Sequence, residues 1–303
     1  MDQLDQLVKA VLASSKYRHV CAEFVRNVGA RELARRHGLK EAIKRTKDKL
    51  HQVGGAYLEG EPAYGAWLEA LRANVPLPPI SGTPLAPGMD DRRIRLRQLC
   101  ATFMAHHAST RERLGSLDYF YANTLGELAP LRRVLDVACG LNPLAIPWMP
   151  LTEDAEYHAF DIYHDLAAFL NEYLGLIGLR GQAKACDVVQ TPPAEEADVA
   201  LVLKAIPCLE QVDKTAGRRL LERLNAPYLL VSFPAHSLTG RKKGMVVNYE
   251  AHFRELVADK PWSIRRFEFP TEIAFLVRKN PVTDSPAPAP ARPGRDAACS
   301  PAV

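Results

Sequence analysis

Three residues near the middle of the chain have types and spacings that could bind a nucleoside. Asp136 lies in the apolar run 133–138, Gly140 follows it, and Asp161 ends the next apolar run, 155–161. A glycine in a tight turn lets backbone and ligand approach closely, and an acid at the end of a second strand can accept both hydroxyls of a ribose. Asp136 can orient the turn and a charged amine of the ligand. The alternative is an ordinary α/β turn with a capping acid.

The glycine content of this turn separates two classes of nucleoside ligand. Gly140 is the single glycine of the segment RVLDVACGLNPLA at 133–145, whereas a dinucleotide pyrophosphate is cradled by the pattern G-x-G-x-x-G. S-adenosylmethionine carries no phosphate, so a turn with fewer glycines suits it. The pattern therefore favours S-adenosylmethionine, and a nicotinamide dehydrogenase is the weaker alternative.

Other polar residues are open to more than one interpretation. Asp187 follows a third strand-like run and could accept a hydrogen bond from an adenine amine, or it could be a solvent-facing loop acid. Lys204 follows the apolar run 198–203; an unpaired buried charge is costly, so we expect a functional lysine or one that extends out of the sheet edge. His106 and His107 are set aside as bases, since histidines on a helix are more often structural or exposed.

The elements that would position these residues alternate between strand and helix. The last two strand-like runs suggest an antiparallel ending. The strand-like runs are 132–138, 155–160, 198–203, 227–233, 263–269 and 272–278, and helical patterns cover 164–177 and 213–225. Such alternation predicts an α/β fold with a largely parallel sheet that helices cover on both faces.

The remaining segments predict the domain organisation. Residues 1–74 carry helical periodicity, and a helical stretch from about 92 to 127 opens an α/β domain at 92–280. Between them, residues 75–91 are rich in proline and cannot form a regular helix or central strand. Residues 281–303 are rich in proline and alanine, so we predict a disordered tail.

Charge and cysteine usage restrict the class of protein. Residues 1–50 hold twelve Lys or Arg and six Asp or Glu, so this segment has a larger positive excess than the net +4 of the whole chain. It could bind a polyanion, or it could be a solvated helix face. The six cysteines have no metal-ligand spacing, so we expect no metal. With no signal peptide and no apolar run of membrane length, we expect a cytoplasmic protein without membrane contact.

Five segments together resemble one family, the aminoglycoside-resistance 16S rRNA (guanine(1405)-N(7))-methyltransferases. They are SSKYRHVC at 14–21, HASTRERL at 107–114, RVLDVACGLNPLA at 133–145, LVLKAIPCLE at 201–210 and SFPAHSLTGRKKGM at 232–245, which NYEAHF at 248–253 extends. The resemblance spans about residues 1–279. It implies a class I, Rossmann-like S-adenosylmethionine-dependent methyltransferase domain and an N-terminal helical domain that helps to bind the ribosome.

The resemblance also assigns roles to individual residues. Arg113 would pair with the methionine carboxylate of the cofactor, since a guanidinium fork suits a bidentate contact; a surface arginine is the alternative. Lys204 would lie beside the transferable methyl, and Arg241 in a basic loop would contact phosphate near the target base; a solvated loop is its alternative. The expected cofactor contacts are Arg113, Asp136, Ala138, Gly140, Asp161, Asp187, Val188 and Leu203.

The implied reaction needs no acid–base pair. N7 of guanine has a free lone pair and no proton at neutral pH, so attack on the sulfonium methyl is a direct displacement. Orientation of the reactants can contribute roughly 7–11 kcal/mol. The resemblance implies methylation of the assembled 30S subunit, with aminoglycoside resistance as the result. We expect a monomer, because the ribosome is a large partner. The alternatives are methylation of another rRNA base, such as the neighbouring adenine, and a non-catalytic ribosome-binding protein.

Overall fold

The computed structural model describes residues 2–35, 38–57, 60–74, 89–235 and 245–279. The proline-rich interval up to residue 88, Arg241 and the predicted disordered tail 281–303 lie outside these residues. The helix that follows the proline-rich interval begins at Met89, inside the predicted linker 75–91. Asp91 stands in its first turn, where a negative charge is favourable.

A seven-stranded sheet forms the centre of the described chain, in the order β3-β2-β1-β4-β5-β7-β6. Strands β1 to β5 pair parallel with one another, and β7 pairs antiparallel with both β5 and β6. All five residues of β4 are buried, as expected for a central parallel strand covered on both faces. The strands are β1 Leu131–Val137, β2 Leu151–Asp161, β3 Arg180–Ala185, β4 Val199–Leu203, β5 Tyr228–Pro234, β6 Ser263–Glu268 and β7 Glu272–Arg278. The predicted α/β fold with an antiparallel ending is confirmed.

Helices cover both faces of this sheet. One hydrophobic core packs helices α1, α2, α3, α9, α10 and α11 on one face of the sheet. A second core packs α4, α5, α7 and α8 on the other face. The helices are α1 Gln3–Leu12, α2 Ala22–Ala34, α3 Leu39–Leu50, α4 Tyr64–Asn74, α5 Met89–Met104, α6 Ala108–Arg113, α7 Leu117–Leu125, α8 His164–Leu176, α9 Ile206–Val212, α10 Ala216–Arg223 and α11 Met245–Val257. A π-helical turn covers His51–Gly55.

The stretch predicted as helical from 92 to 127 consists of three helices, α5, α6 and α7, and not one. The chain leaves the helical conformation at His107, whose φ of −124° and ψ of 124° are extended. A short 3₁₀ turn at Leu114–Ser116 then separates α6 from α7. These breaks turn α6 toward the carboxyl end of the sheet, where its residues contribute to the site described below.

The N-terminal helices pack directly on the sheet domain. An isolated bridge pairs Val20 with Tyr163, the Cys21 N–H donates to the Ile162 carbonyl at 2.7 Å, and the His164 N–H donates to the His19 carbonyl at 2.7 Å. These contacts join the segment between α1 and α2 to the loop that follows β2, at the carboxyl end of the sheet. Within the described residues, no helix is long and apolar enough to cross a membrane.

Candidate active site

A cavity of about 1040 Å³, which includes its open mouth, lies at the carboxyl ends of β1, β2 and β4. Open α/β sheets bind their ligands at this edge. Most of the residues predicted to bind the cofactor line this cavity, and Lys204 lines it too. They are Arg113, Asp136, Ala138, Gly140, Asp161, Val188 and Leu203. The sequence pattern therefore identifies residues that the fold brings together.

The backbone is strained where it borders this cavity. Ala138 and Lys204, which follow β1 and β4, have φ values of 53° and 57°, a left-handed conformation that side chains other than glycine seldom adopt. Gly140 has φ 50°, and a Cβ placed there would lie 2.9 Å from His107 Nε2. Such strain concentrates at functional sites. Only a glycine lets the turn after β1 come this close to its neighbour.

Asp161 holds the turn after β1 through its carboxylate, whose oxygens can still accept further hydrogen bonds. Its Oδ2 accepts the Gly140 N–H at 2.9 Å, and its Oδ1 accepts the Ile162 N–H at 2.7 Å. Burial raises the pKa of this carboxyl, and the backbone donors oppose that shift. A carboxylate oxygen can accept more than one hydrogen bond, so Asp161 can still receive a pair of ligand hydroxyls. This arrangement fits the expected ribose contact.

Asp136 presents an unpartnered carboxylate oxygen. Its Oδ2 accepts hydrogen bonds from Asn142 Nδ2 at 2.9 Å and from the Tyr157 hydroxyl at 2.7 Å, whereas its buried Oδ1 has no hydrogen-bond partner among the described residues. Burial raises the pKa of Asp136 to about 6, against the lowering effect of the two donors. A buried acceptor without a partner is costly, so a ligand ammonium at this position would satisfy it.

Arg113 lies at the same end of the cavity and is fully buried. Its Nε and Nη2 donate to the two carboxylate oxygens of Glu272 at 2.7 and 2.9 Å, and its Nη1 donates to Asn142 Oδ1 at 2.7 Å. These partners take three of the five N–H donors of a guanidinium. Because Asn142 also donates to Asp136, one amide connects Arg113 to the unpartnered acid. Together these side chains offer donors and an acceptor to an amino-acid zwitterion.

Lys204 is tied to the helix that carries Arg113. Its Nζ donates to Glu112 Oε2 at 2.7 Å and to the Ser109 carbonyl at 3.2 Å, and its side chain is almost fully buried. The lysine therefore does not extend out of the sheet edge, which was one of the two interpretations of the sequence. A paired ammonium at this position contributes a fixed charge to the cavity wall, next to Leu203.

Asp187 is placed differently from the other predicted contacts. Its Oδ1 accepts the N–H of Val189 at 2.9 Å, and its Oδ2 accepts Asn27 Nδ2 at 2.8 Å. The side chain thus holds the loop after β3 against helix α2, and Val188 and Val189 of that loop face the cavity. The structure brings Val188, and not the Asp187 carboxylate, to the cavity wall; the expected contact between Asp187 and an adenine amine stays a prediction.

Sequence reasoning missed several residues of this site. His107 lines the cavity and stacks on Tyr57, with ring centroids 5.9 Å apart and planes at 16°. Burial and, next, the charge of Lys204 lower the pKa of His107 to about 4, so the imidazole is neutral at pH 7. Tyr57 comes from the N-terminal region, and nothing in its local sequence marks it. His107 was set aside as a helix histidine, but it precedes α6 and faces inward.

Comparisons with known proteins give the class and then the family. Residues 13–277 match the ribosomal RNA methyltransferase (FmrO) family. The crystal structure of the 16S rRNA methyltransferase RmtF in complex with S-adenosyl-L-homocysteine superposes with a TM-score of 0.73 at 32% identity, covering 92% of this chain and 100% of that one. The fold is therefore that of a class I methyltransferase, as predicted. This chain belongs to the ribosomal RNA methyltransferase (FmrO) family.

Two relatives with stated activities cover nearly the whole chain. A 16S rRNA (guanine(1405)-N(7))-methyltransferase of Frankia casuarinae is 38% identical over 279 residues, which are 91% of this chain and 94% of the relative. An enzyme of the same name from Micromonospora rosea is 35% identical over 280 residues, 92% of this chain and 97% of the relative. The family resemblance stated from the motifs is confirmed.

Proposed function

We propose that this chain is an S-adenosylmethionine-dependent methyltransferase that modifies N7 of guanine 1405 of 16S rRNA in the assembled 30S subunit. The modification would protect the cell from aminoglycosides that contact this guanine. The enzyme would act as a monomer in the cytoplasm, where ribosomes are found. The observation that carries the proposal is the group Arg113–Asn142–Asp136, which offers donors and an unpartnered acceptor beside the strained turn after β1.

The residues of the cavity fit the cofactor part by part. Asp136 Oδ1 would accept the methionine ammonium, the remaining Arg113 donors would bind its carboxylate, and Asp161 would accept the ribose hydroxyls. Val188 would border the adenine. S-adenosylmethionine, when bound, supplies a methyl group on a positively charged sulfur. The absence of phosphate in this cofactor agrees with a turn whose single glycine is Gly140.

Catalysis by this site rests on positioning. The N7 atom of guanine carries no proton at neutral pH, so no side chain has to remove one. A neutral His107 and a Lys204 held by Glu112 then provide a fixed polar environment and not a proton relay. Preorganised dipoles of this kind need no reorganisation during the reaction. Arg241, which lies outside the described residues, would contact phosphate near the flipped base, whose extrusion costs a few kcal/mol.

The test is to incubate purified 30S subunits with the chain and radiolabelled S-adenosylmethionine, then to map the modified base by borohydride reduction and aniline cleavage. We expect cleavage at guanine 1405 in 30S subunits and none in naked 16S rRNA. Incorporation of label into the subunit without cleavage at guanine 1405 would show that the enzyme methylates another base. Without any label, the proposal would give way to a non-catalytic ribosome-binding protein.

A further inference from the structure

We propose that Glu272 is a positioning residue that orients Arg113 toward the carboxylate of the cofactor and thereby selects ligands that carry this carboxylate. The inference rests on the proposed function, because it takes the cavity to be the S-adenosylmethionine site. Glu272 begins β7, outside every motif that marks the cofactor turn. It lies 159 residues from Arg113 in the sequence.

The geometry of the pair leaves Arg113 little freedom. Both side chains have 0% exposure, and the two carboxylate oxygens of Glu272 accept from Nε and Nη2 of Arg113 at 2.7 and 2.9 Å. A bidentate pair fixes the plane of the guanidinium as well as its position. The Arg113 Cζ also lies 4.7 Å from the ring centroid of Phe120, which covers one face of the guanidinium.

Backbone contacts hold Glu272 in its place. In the β5–β7 ladder it lies opposite Pro234, and its carbonyl accepts the Phe269 N–H at 2.8 Å. The neighbouring Thr271 donates its hydroxyl to the Glu112 carbonyl at 2.9 Å, which connects the start of β7 to α6 beside Arg113. The carboxylate is therefore held by a strand and by the helix that carries its partner. This is the arrangement of a fixed support and not of a mobile surface acid.

Charge balance explains why a carboxylate suits this position. Burial alone would raise the pKa of Glu272, but the charges of Arg113 and Lys204 outweigh it and keep the pKa below its usual range. The ionised Glu272 thus balances Arg113 before any ligand binds. An amino-acid zwitterion, bound between Arg113 and Asp136, then adds no net charge to a buried region where isolated charges are costly. The two Arg113 donors without a described partner remain for the ligand carboxylate.

The experiment compares two ligands that differ in one group. S-adenosylmethionine and decarboxylated S-adenosylmethionine share the adenosine, the sulfonium and the amine, and only the first has the carboxylate. We expect calorimetry to show that Glu272→Gln weakens S-adenosylmethionine about tenfold or more, the effect of disturbing one charge-assisted hydrogen bond. Its affinity for the decarboxylated ligand should stay within about twofold of wild type.

Further variants separate positioning from folding. Glu272→Asp, which keeps the charge, should recover part of the lost affinity for S-adenosylmethionine. Glu32→Gln is the matched control, since Glu32 is also buried and paired with an arginine, but its partner Arg35 does not line the cavity as Arg113 does. If Glu272→Gln does not fold, Glu272→Asp gives the same two-ligand comparison.

Four results would count against the inference. An equal loss of affinity for both ligands in Glu272→Gln would show that Glu272 only stabilises the fold. A gain in affinity for S-adenosylmethionine would show that Glu272 competes with the ligand for Arg113. If the wild-type chain binds neither ligand, the proposed function fails as well. If wild type binds both and Glu272→Gln changes neither affinity, the inference about Glu272 fails alone and the proposed function stands.

Discussion

At the scale of single residues, the site is built from side chains that hold one another in place. Asn142 accepts from Arg113 and from the Tyr121 hydroxyl, at 2.7 and 2.6 Å, and donates to Asp136. Tyr157, from β2, provides the second donor to Asp136. Hydrogen bonds from such supporting side chains fix the orientation of the groups that bind the ligand. The single unpartnered oxygen of Asp136 is therefore well oriented before a ligand arrives.

The raised pKa of Asp136 predicts a pH dependence of cofactor affinity. The group is ionised above its pKa of about 6 and protonated below it. A ligand ammonium binds the ionised form, so affinity should be constant above pH 7 and should fall by up to about tenfold per pH unit below pH 6. Calorimetry with S-adenosylhomocysteine between pH 5 and 8 measures this.

Asp136→Asn separates this effect from other acids of the cavity. Burial also raises the pKa of Asp161, so Asp161 contributes to the wild-type profile in the same direction. The variant should bind more weakly at pH 7.5 and should lose most of the decline between pH 7 and 5. If Asp136→Asn keeps the full wild-type decline, Asp136 is not the titrating contact.

The sequence indicated some of these residues because their signals are local. Asp136, Gly140 and Asp161 stand at the ends of apolar runs, and in a parallel sheet such ends meet at one edge. Glu272 and Tyr57 have no such signal, since each reaches the site only through tertiary packing. For Asp187 the contact with an adenine amine stays a prediction; in the described residues its carboxylate accepts from Asn27 Nδ2 and from the N–H of Val189.

At the scale of elements, the edge strand β3 depends on one glycine. Gly181 lies opposite Tyr157 of β2 and has a φ of 132°. A Cβ at Gly181 would lie 2.0 Å from the Tyr157 carbonyl oxygen, so backbone would have to move. Because the hydroxyl of Tyr157 supports Asp136, a displacement of β3 would also reach the cofactor cavity.

We therefore predict that Gly181→Ala destabilises the protein by about 2 kcal/mol or more, from backbone strain of roughly 1–3 kcal/mol plus the clash. Urea unfolding measures the free energy. Gly175→Ala is the matched control: Gly175 lies in α8, and a Cβ there would have no neighbour within 4 Å. This control should be stabilised by up to about 1 kcal/mol. Equal stability of Gly181→Ala and wild type would contradict the strain argument.

The limits of sequence reasoning at this scale have a physical cause. Strands β1, β4 and β5 were predicted to within a few residues because each is a short apolar run that both faces of the sheet bury. The helical stretch 92–127 was predicted as continuous, since no proline or glycine stands near His107 to mark the break. Tertiary packing ends α5 before His107 and turns α6 toward the cavity, which local propensity does not encode.

At the scale of the whole molecule, the N-terminal helices contribute to the cofactor cavity as well as to the charged surface. Phe24, Val53, Gly54 and Tyr57 line the cavity. Polar contacts reinforce the attachment: Arg31 of α2 pairs with Asp213 at 2.9 Å, beyond α9. Hydrogen bonds from the backbone and side chain of Thr215, and from Arg31 and Arg219, hold the pKa of Asp213 well below its usual range. The helical region is thus packed against the cofactor site and is not a loosely attached module.

This packing leaves one face of α3 exposed, and we predict that this face binds the RNA of the 30S subunit. Lys40 and Lys44 are both exposed and lie four residues apart, on the same side of the helix. We predict that the double reversal Lys40→Glu, Lys44→Glu weakens binding to 30S subunits by tenfold or more. The slope of log affinity against log salt should decrease by about 1 for each phosphate group that the variant no longer binds. Filter binding at several salt concentrations measures both.

The matched control reverses two exposed arginines elsewhere, Arg132→Glu and Arg265→Glu, so that the net charge changes equally. Arg132 lies near the start of β1, at the end of the sheet opposite the cavity, and Arg265 lies on the edge strand β6. If binding responded only to net charge, both pairs would weaken it alike, and the assignment of α3 to the ribosomal surface would be wrong. A decrease confined to the Lys40 and Lys44 pair, with unchanged S-adenosylhomocysteine affinity, would place the RNA-binding surface on α3. Because α3 packs against helices that line the cavity, the same helical layer would then bind the subunit on its outside and enclose the cofactor on its inside.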